Sequence, residues 1–155
     1  MSTKALWLLA LALTLAVLAV LAYRLAPQRR AGATETLPAT RCDPGTHACR
    51  ANLPRGGQVE LTISPAPIRA LQPLALRVTI SGAETAALAV DFAGRDMAMG
   101  SNRSPLTGAT GQFTGRAMLP VCVTGSMAWV ATVHLDGQGG ALAVPFHFTA
   151  AGASR

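Results

Sequence analysis

The residues whose side chains are best suited to chemistry are sulfur donors in the middle of the chain. Met97 and Met99 are separated by one residue, so both thioethers project from the same face of an extended backbone. Thioether and thiolate sulfurs are soft donors that select Cu(I) over calcium or magnesium. We therefore predict a Cu(I) site, with these candidate ligands: Met97, Met99, Cys122 and Met127.

Two thioethers are too few to hold a copper ion, so the site needs further donors from the rest of the chain. Met118 is one more candidate, and His134 and His147 offer borderline imidazole ligands. The alternative is that the methionines fill gaps in the core or anchor a loop, which is a common role of this residue.

The three cysteines permit three single pairings: 42–49, 42–122 and 49–122. Pro44-Gly45 is a turn sequence that can bring Cys42 and Cys49 together, so this pair is the candidate disulfide. It would leave Cys122 as a free thiol and a candidate ligand, whereas pairing of Cys122 would make it structural. His47 lies between Cys42 and Cys49, as in half of a zinc site, but no second cluster completes four ligands, which favours a loop histidine.

The sequence contains no nucleophile elbow, phosphate loop or His-Glu-x-x-His motif, and its acidic residues are scattered singly. No enzyme activity is expected. A hydrolase using Cys122 and a histidine is the weakest alternative, because no helix N-terminus is predicted to activate that thiol.

The charge distribution argues against nucleic-acid binding. The net charge of +6 includes Lys4, Arg24, Arg29 and Arg30, which flank the N-terminal apolar run. From residue 31 onward, nine arginines against seven acidic residues leave only +2. The basic excess therefore lies where cations meet lipid headgroups.

The N-terminal apolar run, residues 5–23, contains no charge and would span roughly 28 Å as a helix. Trp7 and Tyr23 lie near its ends, where interfacial aromatic residues are expected. We predict a transmembrane anchor over residues 1–26. The alternative is a cleaved signal peptide, for which Val20-Leu21-Ala22 would be a poor cleavage site.

The orientation of this anchor rests on two opposing signals. Arg24, Arg29 and Arg30 would keep the following domain in the cytoplasm by the positive-inside rule. The cysteines and the methionine motif favour the other side. The expectation is a single-pass protein of the inner (cytoplasmic) membrane with its globular domain in the periplasm, joined by a linker over residues 27–41.

Apolar residues alternate with polar ones in several short runs, which predicts half-buried strands. The runs lie at residues 59–63, 74–80, 88–92, 112–118, 127–135 and 142–148, with a hairpin loop at 136–140. Pro145 predicts an edge position, because proline cannot donate to the ladder. Residues 42–155 are thus predicted to form an immunoglobulin-like antiparallel β-sandwich.

With these strands placed, residues 58–149 resemble the membrane-tethered domains called FixH-like or YtkA-like. The resemblance rests on these motifs: Met97-x-Met99-Gly100, Gly111-x-Phe113-x-Gly115, Leu119-Pro120 and Gly125-x-Met127-x-Trp129. It implies a membrane-anchored extracytoplasmic sandwich linked to copper handling or respiratory oxidase assembly. Relatives commonly carry a histidine beside the methionine pair, where this chain has Gly100-Ser101-Asn102.

Two functions follow from these observations. The first is a tethered periplasmic copper-binding or copper-delivery protein that serves an envelope metalloprotein. The second is a metal-free interaction module that docks on a membrane partner through residues 97–106.

Overall fold

The computed structural model describes residues 3–29, 34–96, 100, 102–120, 125–137 and 140–152. Helix α1 (Thr3–Arg29) lies in the first of two compact units. Its segment Thr3–Leu21 is long and apolar enough to cross a membrane, and a signal sequence would satisfy the same criterion. The second compact unit begins at Thr34.

The second unit is an immunoglobulin-like β-sandwich, as the sequence predicts. Ten strands are described: β1 (Glu35–Thr36), β2 (Thr40–Arg41), β3 (Cys49–Asn52), β4 (Gln58–Ser64), β5 (Pro73–Ser81), β6 (Thr85–Gly94), β7 (Asn102–Ala109), β8 (Gln112–Met118), β9 (Met127–Gly137) and β10 (Gly140–Ala150). They follow one another in the order β1-β10-β9-β6-β7-β8-β5-β4-β3, with β2 also pairing with β10. The sheet curls on itself, so that its two halves face each other.

The corner between the two halves is strand β7, which the sequence did not predict. Its first half pairs with β6 and its second half, from Leu106, pairs with β8. Pro105 lies at the change of partner, and Ser104 beside it is 5% exposed. The strand has few apolar side chains, so alternation could not reveal it. Residues 102–106, predicted as part of a docking loop, therefore lie in a strand.

The predicted linker also needs correction. Helix α1 extends to Arg29, and residues 34–41 belong to the sandwich, where β1 and β2 pair in parallel with β10. Two-residue strands are held by backbone hydrogen bonds and carry no side-chain alternation, which is why the sequence suggested a linker. Pro145 lies in β10, which has β9 on one side and both β1 and β2 on the other. It falls in the gap between the residues of β10 that pair with β1 and those that pair with β2.

Alternate side chains of both halves meet in one core. The burial pattern of β5 alternates strictly between exposed or half-buried and buried, and β9 buries Trp129, Ala131, Val133 and Leu135. The rings of Phe92 and Phe148 meet edge to face with their centroids 6.4 Å apart.

Candidate functional site

Of the four main candidate copper ligands, Met127 lies within the described residues. It is the first residue of β9, half-buried, and packs against the core. Met97, Met99 and Cys122 lie outside the described residues. Their flanking residues are described, so the structure locates the residues that precede and follow the segments 97–99 and 121–124.

The start of the first segment is joined to the strand that carries Met127. Gly94 pairs with Trp129 at the end of β6, and the Arg95 backbone N–H donates to the Ala128 carbonyl oxygen at 3.0 Å. Residues 97–99 therefore begin two residues beyond a backbone contact with the neighbour of Met127.

The end of the first segment is joined to the start of the second. The side-chain amide of Asn102 donates to the carbonyl oxygen of Met118 at 2.7 Å. Pro120 and Gly125, which flank residues 121–124, line one small cavity together with Met127 and Trp129. The described residues next to the candidate ligands thus lie at one end of the sandwich. We call this end, which includes Asn102, Met118, Pro120, Gly125 and Met127, the methionine end.

Two further hydrogen bonds brace the methionine end. The Leu71 N–H donates to the Leu119 carbonyl oxygen at 2.9 Å, and the Ala70 N–H donates to the Ala151 carbonyl oxygen at 3.0 Å. Residues 68–72 therefore bridge the end of β8 and the end of β10, which belong to different halves of the curled sheet.

The two histidines suggested as additional ligands are not neighbours of Met127. His134 lies seven residues further along β9, roughly 24 Å away, and on the opposite face of the strand. His147 lies opposite Val130 and points to the outer face of β10, whereas Met127 has the inward-facing register of Trp129. Neither side chain can share a metal ion with Met127 in this fold.

His134 has a perturbed environment of its own. Burial lowers the pKa of His134 below its usual value of 6.5, and Arg103 lowers the pKa further, whereas Asp91 raises it. The three residues lie on adjacent strands on the outer face of the sheet, where Asp91 is paired with Arg103 across β6 and β7. The cluster favours a neutral imidazole.

A second group of metal-binding residue types lies in the loop between β2 and β3. Cys42 and Cys49 form a disulfide with their Cα atoms 5.7 Å apart, which is one of the three pairings that the sequence allows. The His47 Nε2 atom lies 3.4 Å from the Cys42 sulfur, and the three ligand atoms lie within 4.8 Å of one another. We call Cys42, His47 and Cys49 the disulfide cluster.

Asp43 and Thr46 organise the loop that carries the disulfide cluster. The Asp43 carboxylate accepts from the Gly45 N–H at 3.0 Å, and its carbonyl oxygen accepts from the Thr46 and His47 N–H groups at 3.1 and 3.3 Å. This is a turn of the kind that Asp-Pro-Gly sequences favour. The sequence contained the turn signal, but it did not indicate that the turn would place the imidazole beside the sulfur.

The loop joins the two halves of the sandwich close to the methionine end. The Cys42 N–H donates to the His147 carbonyl oxygen on β10, and the Pro44 carbonyl oxygen accepts from the Ile63 N–H on β4. A Cβ atom added at Gly45 would lie 2.6 Å from the Ile68 side chain, so the turn packs closely on residues 68–72. Both candidate sites are therefore held by the same region of the fold.

The fold defines a small β-sandwich domain, preceded by an apolar helix, with Met118 and Met127 at one end and the disulfide cluster between β2 and β3. No protein-family model and no curated protein matches the chain. Among solved structures, a DUF4785 family protein from Legionella pneumophila is similar, with a TM-score of 0.44 and 10% sequence identity. The similarity covers 62% of this chain and 28% of that protein.

Proposed function

We propose that this protein is a membrane-tethered periplasmic copper-binding or copper-delivery protein that serves the assembly of an envelope metalloprotein such as a respiratory oxidase. Cu(I) is the proposed cargo, and Met97, Met99, Cys122 and Met127 are its proposed ligands. Three or four soft donors from these residues would satisfy Cu(I), which accepts low coordination numbers and binds thioethers and thiolates.

The observation that carries the proposal is that the residues flanking 97–99 and 121–124 lie together at the methionine end. The Arg95–Ala128 and Asn102–Met118 hydrogen bonds tie the 97–99 segment to β9 and to the end of β8. The described residues that flank 97–99 and 121–124, which are far apart in the sequence, are thereby joined to each other. A core-packing role for the methionines does not require their segments to start at one place.

Two features support the proposed location. The segment Thr3–Leu21 is compatible with a membrane anchor. The Cys42–Cys49 disulfide is typical of proteins outside the reducing cytosol. It also leaves Cys122, the third cysteine of the sequence, available as a thiolate ligand.

The test is a Cu(I) titration of the oxidised full-length chain in detergent micelles against a chromophoric Cu(I) chelator. We expect one bound equivalent, and we expect Met97→Leu with Met99→Leu to weaken binding by at least about tenfold. Leucine keeps the volume, so loss of binding would report the sulfurs and not the packing. Leu88→Met, which adds a thioether on an exposed part of β6, is the matched control that should not strengthen binding. A folded wild-type chain that does not compete for Cu(I) would contradict the proposal.

An interaction module is the second candidate, and exposed apolar residues at the methionine end favour it. Leu71 is 55% exposed and Met118 is 48% exposed. The segments that carry them are joined by the hydrogen bond between the Leu71 N–H and the Leu119 carbonyl oxygen. Exposed apolar side chains grouped in this way are typical of docking surfaces. Under this function Leu71→Ser and Met118→Ser would reduce capture of a membrane partner, and copper would have no effect.

A further inference from the structure

We propose that the disulfide cluster is a redox-gated metal site: reduction of the Cys42–Cys49 bond converts Cys42, His47 and Cys49 into a three-coordinate Cu(I) site. In the oxidised protein the two sulfurs are bonded to each other and provide no thiolate. After reduction, two thiolates and one imidazole form a donor set that suits Cu(I). This site shares no ligand with the one proposed at the methionine end, and its test does not require copper binding there.

The backbone already has a spacing suited to two thiolate ligands. Two sulfurs bound at roughly 2.3 Å each to one three-coordinate metal lie about 4.0 Å apart. With the Cα atoms 5.7 Å apart, rotation of the two side chains about their Cα–Cβ bonds brings the sulfurs to this separation without moving the backbone. The loop is held at both ends, by Cys42 N–H to the His147 carbonyl and by the pairing of Cys49 with Leu61.

The imidazole is oriented as a metal-ligating histidine should be. The Thr46 hydroxyl donates its single proton to the Asp43 carbonyl oxygen at 3.1 Å, because that oxygen can only accept. The same hydroxyl oxygen lies 2.9 Å from His47 Nδ1, so it accepts from the Nδ1–H. The lone pair is then on Nε2, the nitrogen that lies 3.4 Å from the Cys42 sulfur. A second partner that fixes the tautomer and the ring orientation is a regular feature of histidine metal ligands.

The gating step is thiol–disulfide exchange with a dithiol reductant. Cys49 is 0% exposed and Cys42 is half-buried, so the attacking thiolate reaches the Cys42 sulfur. A bond forms between the reductant sulfur and Cys42, the Cys42–Cys49 bond breaks, and Cys49 leaves with the electron pair as a thiolate. The second thiol of the reductant then displaces Cys42, and the reductant becomes a disulfide. Two electrons pass to the protein, and Cu(I) binding excludes protons from both sulfurs.

The test uses the full-length chain in detergent micelles with the other sulfur donors substituted: Met97→Leu, Met99→Leu, Met127→Leu and Cys122→Ser. This background chain is titrated with Cu(I) against a chelator, once oxidised and once after reduction by a phosphine that is then removed. We expect no bound equivalent in the oxidised form and one in the reduced form. Absence of Cu(I) binding by the oxidised wild-type chain would contradict the proposed function, whereas absence of binding by the reduced background chain would contradict this site. The two failures are therefore distinguishable.

Three single variants in the reduced background identify the ligands. His47→Gln should weaken Cu(I) binding by at least about tenfold, and Thr46→Val should weaken it by a comparable factor through loss of the Nδ1 partner. Thr46→Ser retains the hydroxyl and should bind Cu(I) as tightly as the background chain does. His134→Gln, which removes an imidazole far from the loop, is the matched control and should leave binding unchanged.

The proposal would be overturned by a folded reduced chain that binds no Cu(I), or by equal binding in the His47→Gln variant. Unfolding of the sandwich on reduction, seen by circular dichroism, would also overturn it, because the site needs the folded loop. Uptake of Zn²⁺ in place of Cu(I) by the reduced chain would refute the assignment of the metal.

Discussion

The side-chain amide of Asn102 donates a hydrogen bond to the main-chain carbonyl of Met118, sixteen residues further along the sequence. This contact links the end of the segment that contains Met97 and Met99 to the beginning of the segment that contains Cys122. Asn102 is the first residue of β7 and Met118 is the last residue of β8, so the contact joins two neighbouring strands.

We predict that Asn102→Ala weakens Cu(I) binding at the methionine end and lowers the free energy of unfolding by about 1 kcal/mol, as expected for the loss of one hydrogen bond. Chelator competition and urea unfolding measure the two effects. Asn52→Ala is a matched control, because the Asn52 side chain also makes one hydrogen bond, to Gln58, but on β3. Equal Cu(I) affinities for the two variants would contradict a positioning role of Asn102.

We predict that Cys42→Ser with Cys49→Ser lowers the free energy of unfolding by about 2–3 kcal/mol, through the greater freedom of the unfolded chain when a loop with a sequence separation of 7 residues is opened. Urea unfolding of the oxidised chain measures the change. Cys122→Ser is the control and should leave the disulfide intact. Thiol counting by mass should find one free thiol in the oxidised wild-type chain and none in the Cys122→Ser variant.

We predict that the free energy of unfolding falls as the pH falls below 6.5, in part because of His134. Burial lowers the pKa of His134 in the folded state, so the folded chain binds fewer protons than the unfolded chain below pH 6.5. The stability that the neutral imidazole contributes is complete above that pH and is lost towards the folded-state pKa. His134→Gln should therefore flatten the pH dependence of urea unfolding between about pH 5 and 7.

The opposite change is expected for Asp91→Asn, because the Asp91 carboxylate raises the pKa of His134. Its removal should lower that pKa further and steepen the loss of stability in acid. An unchanged slope in both variants would show that His134 does not contribute to the pH dependence.

We predict that Phe92→Ala lowers the free energy of unfolding by about 3–5 kcal/mol, because the ring is fully buried against Phe148 and leaves a cavity. Leu88→Ala on the same strand is the control and should change stability by less than about 0.5 kcal/mol, since Leu88 is 46% exposed at the irregularity of β6. Urea unfolding of the full-length chain distinguishes the two. Similar losses for both variants would contradict the assignment of the core.

The amino-acid sequence by itself determined the apolar N-terminal helix and the sandwich class, because both depend on local patterns. An uninterrupted apolar run and a two-residue alternation of apolar side chains remain visible without knowledge of the neighbours. The strands from Gln58–Ser64 to Gly140–Ala150 were found in this way, except Asn102–Ala109. That strand and the short strands Glu35–Thr36 and Thr40–Arg41 are defined by backbone pairing, which leaves no periodicity in the sequence.

Only the tertiary structure decided which cysteines pair and which candidate ligands lie far apart. The sequence allowed three cysteine pairings, and the turn at Asp43 brings Cys42 and Cys49 together with His47. It also suggested His134 as a partner of Met127, and the extended geometry of β9 separates the two residues. Proximity between residues distant in the sequence depends on strand register and on long-range hydrogen bonds such as Asn102 to Met118, and neither is encoded in residue spacing.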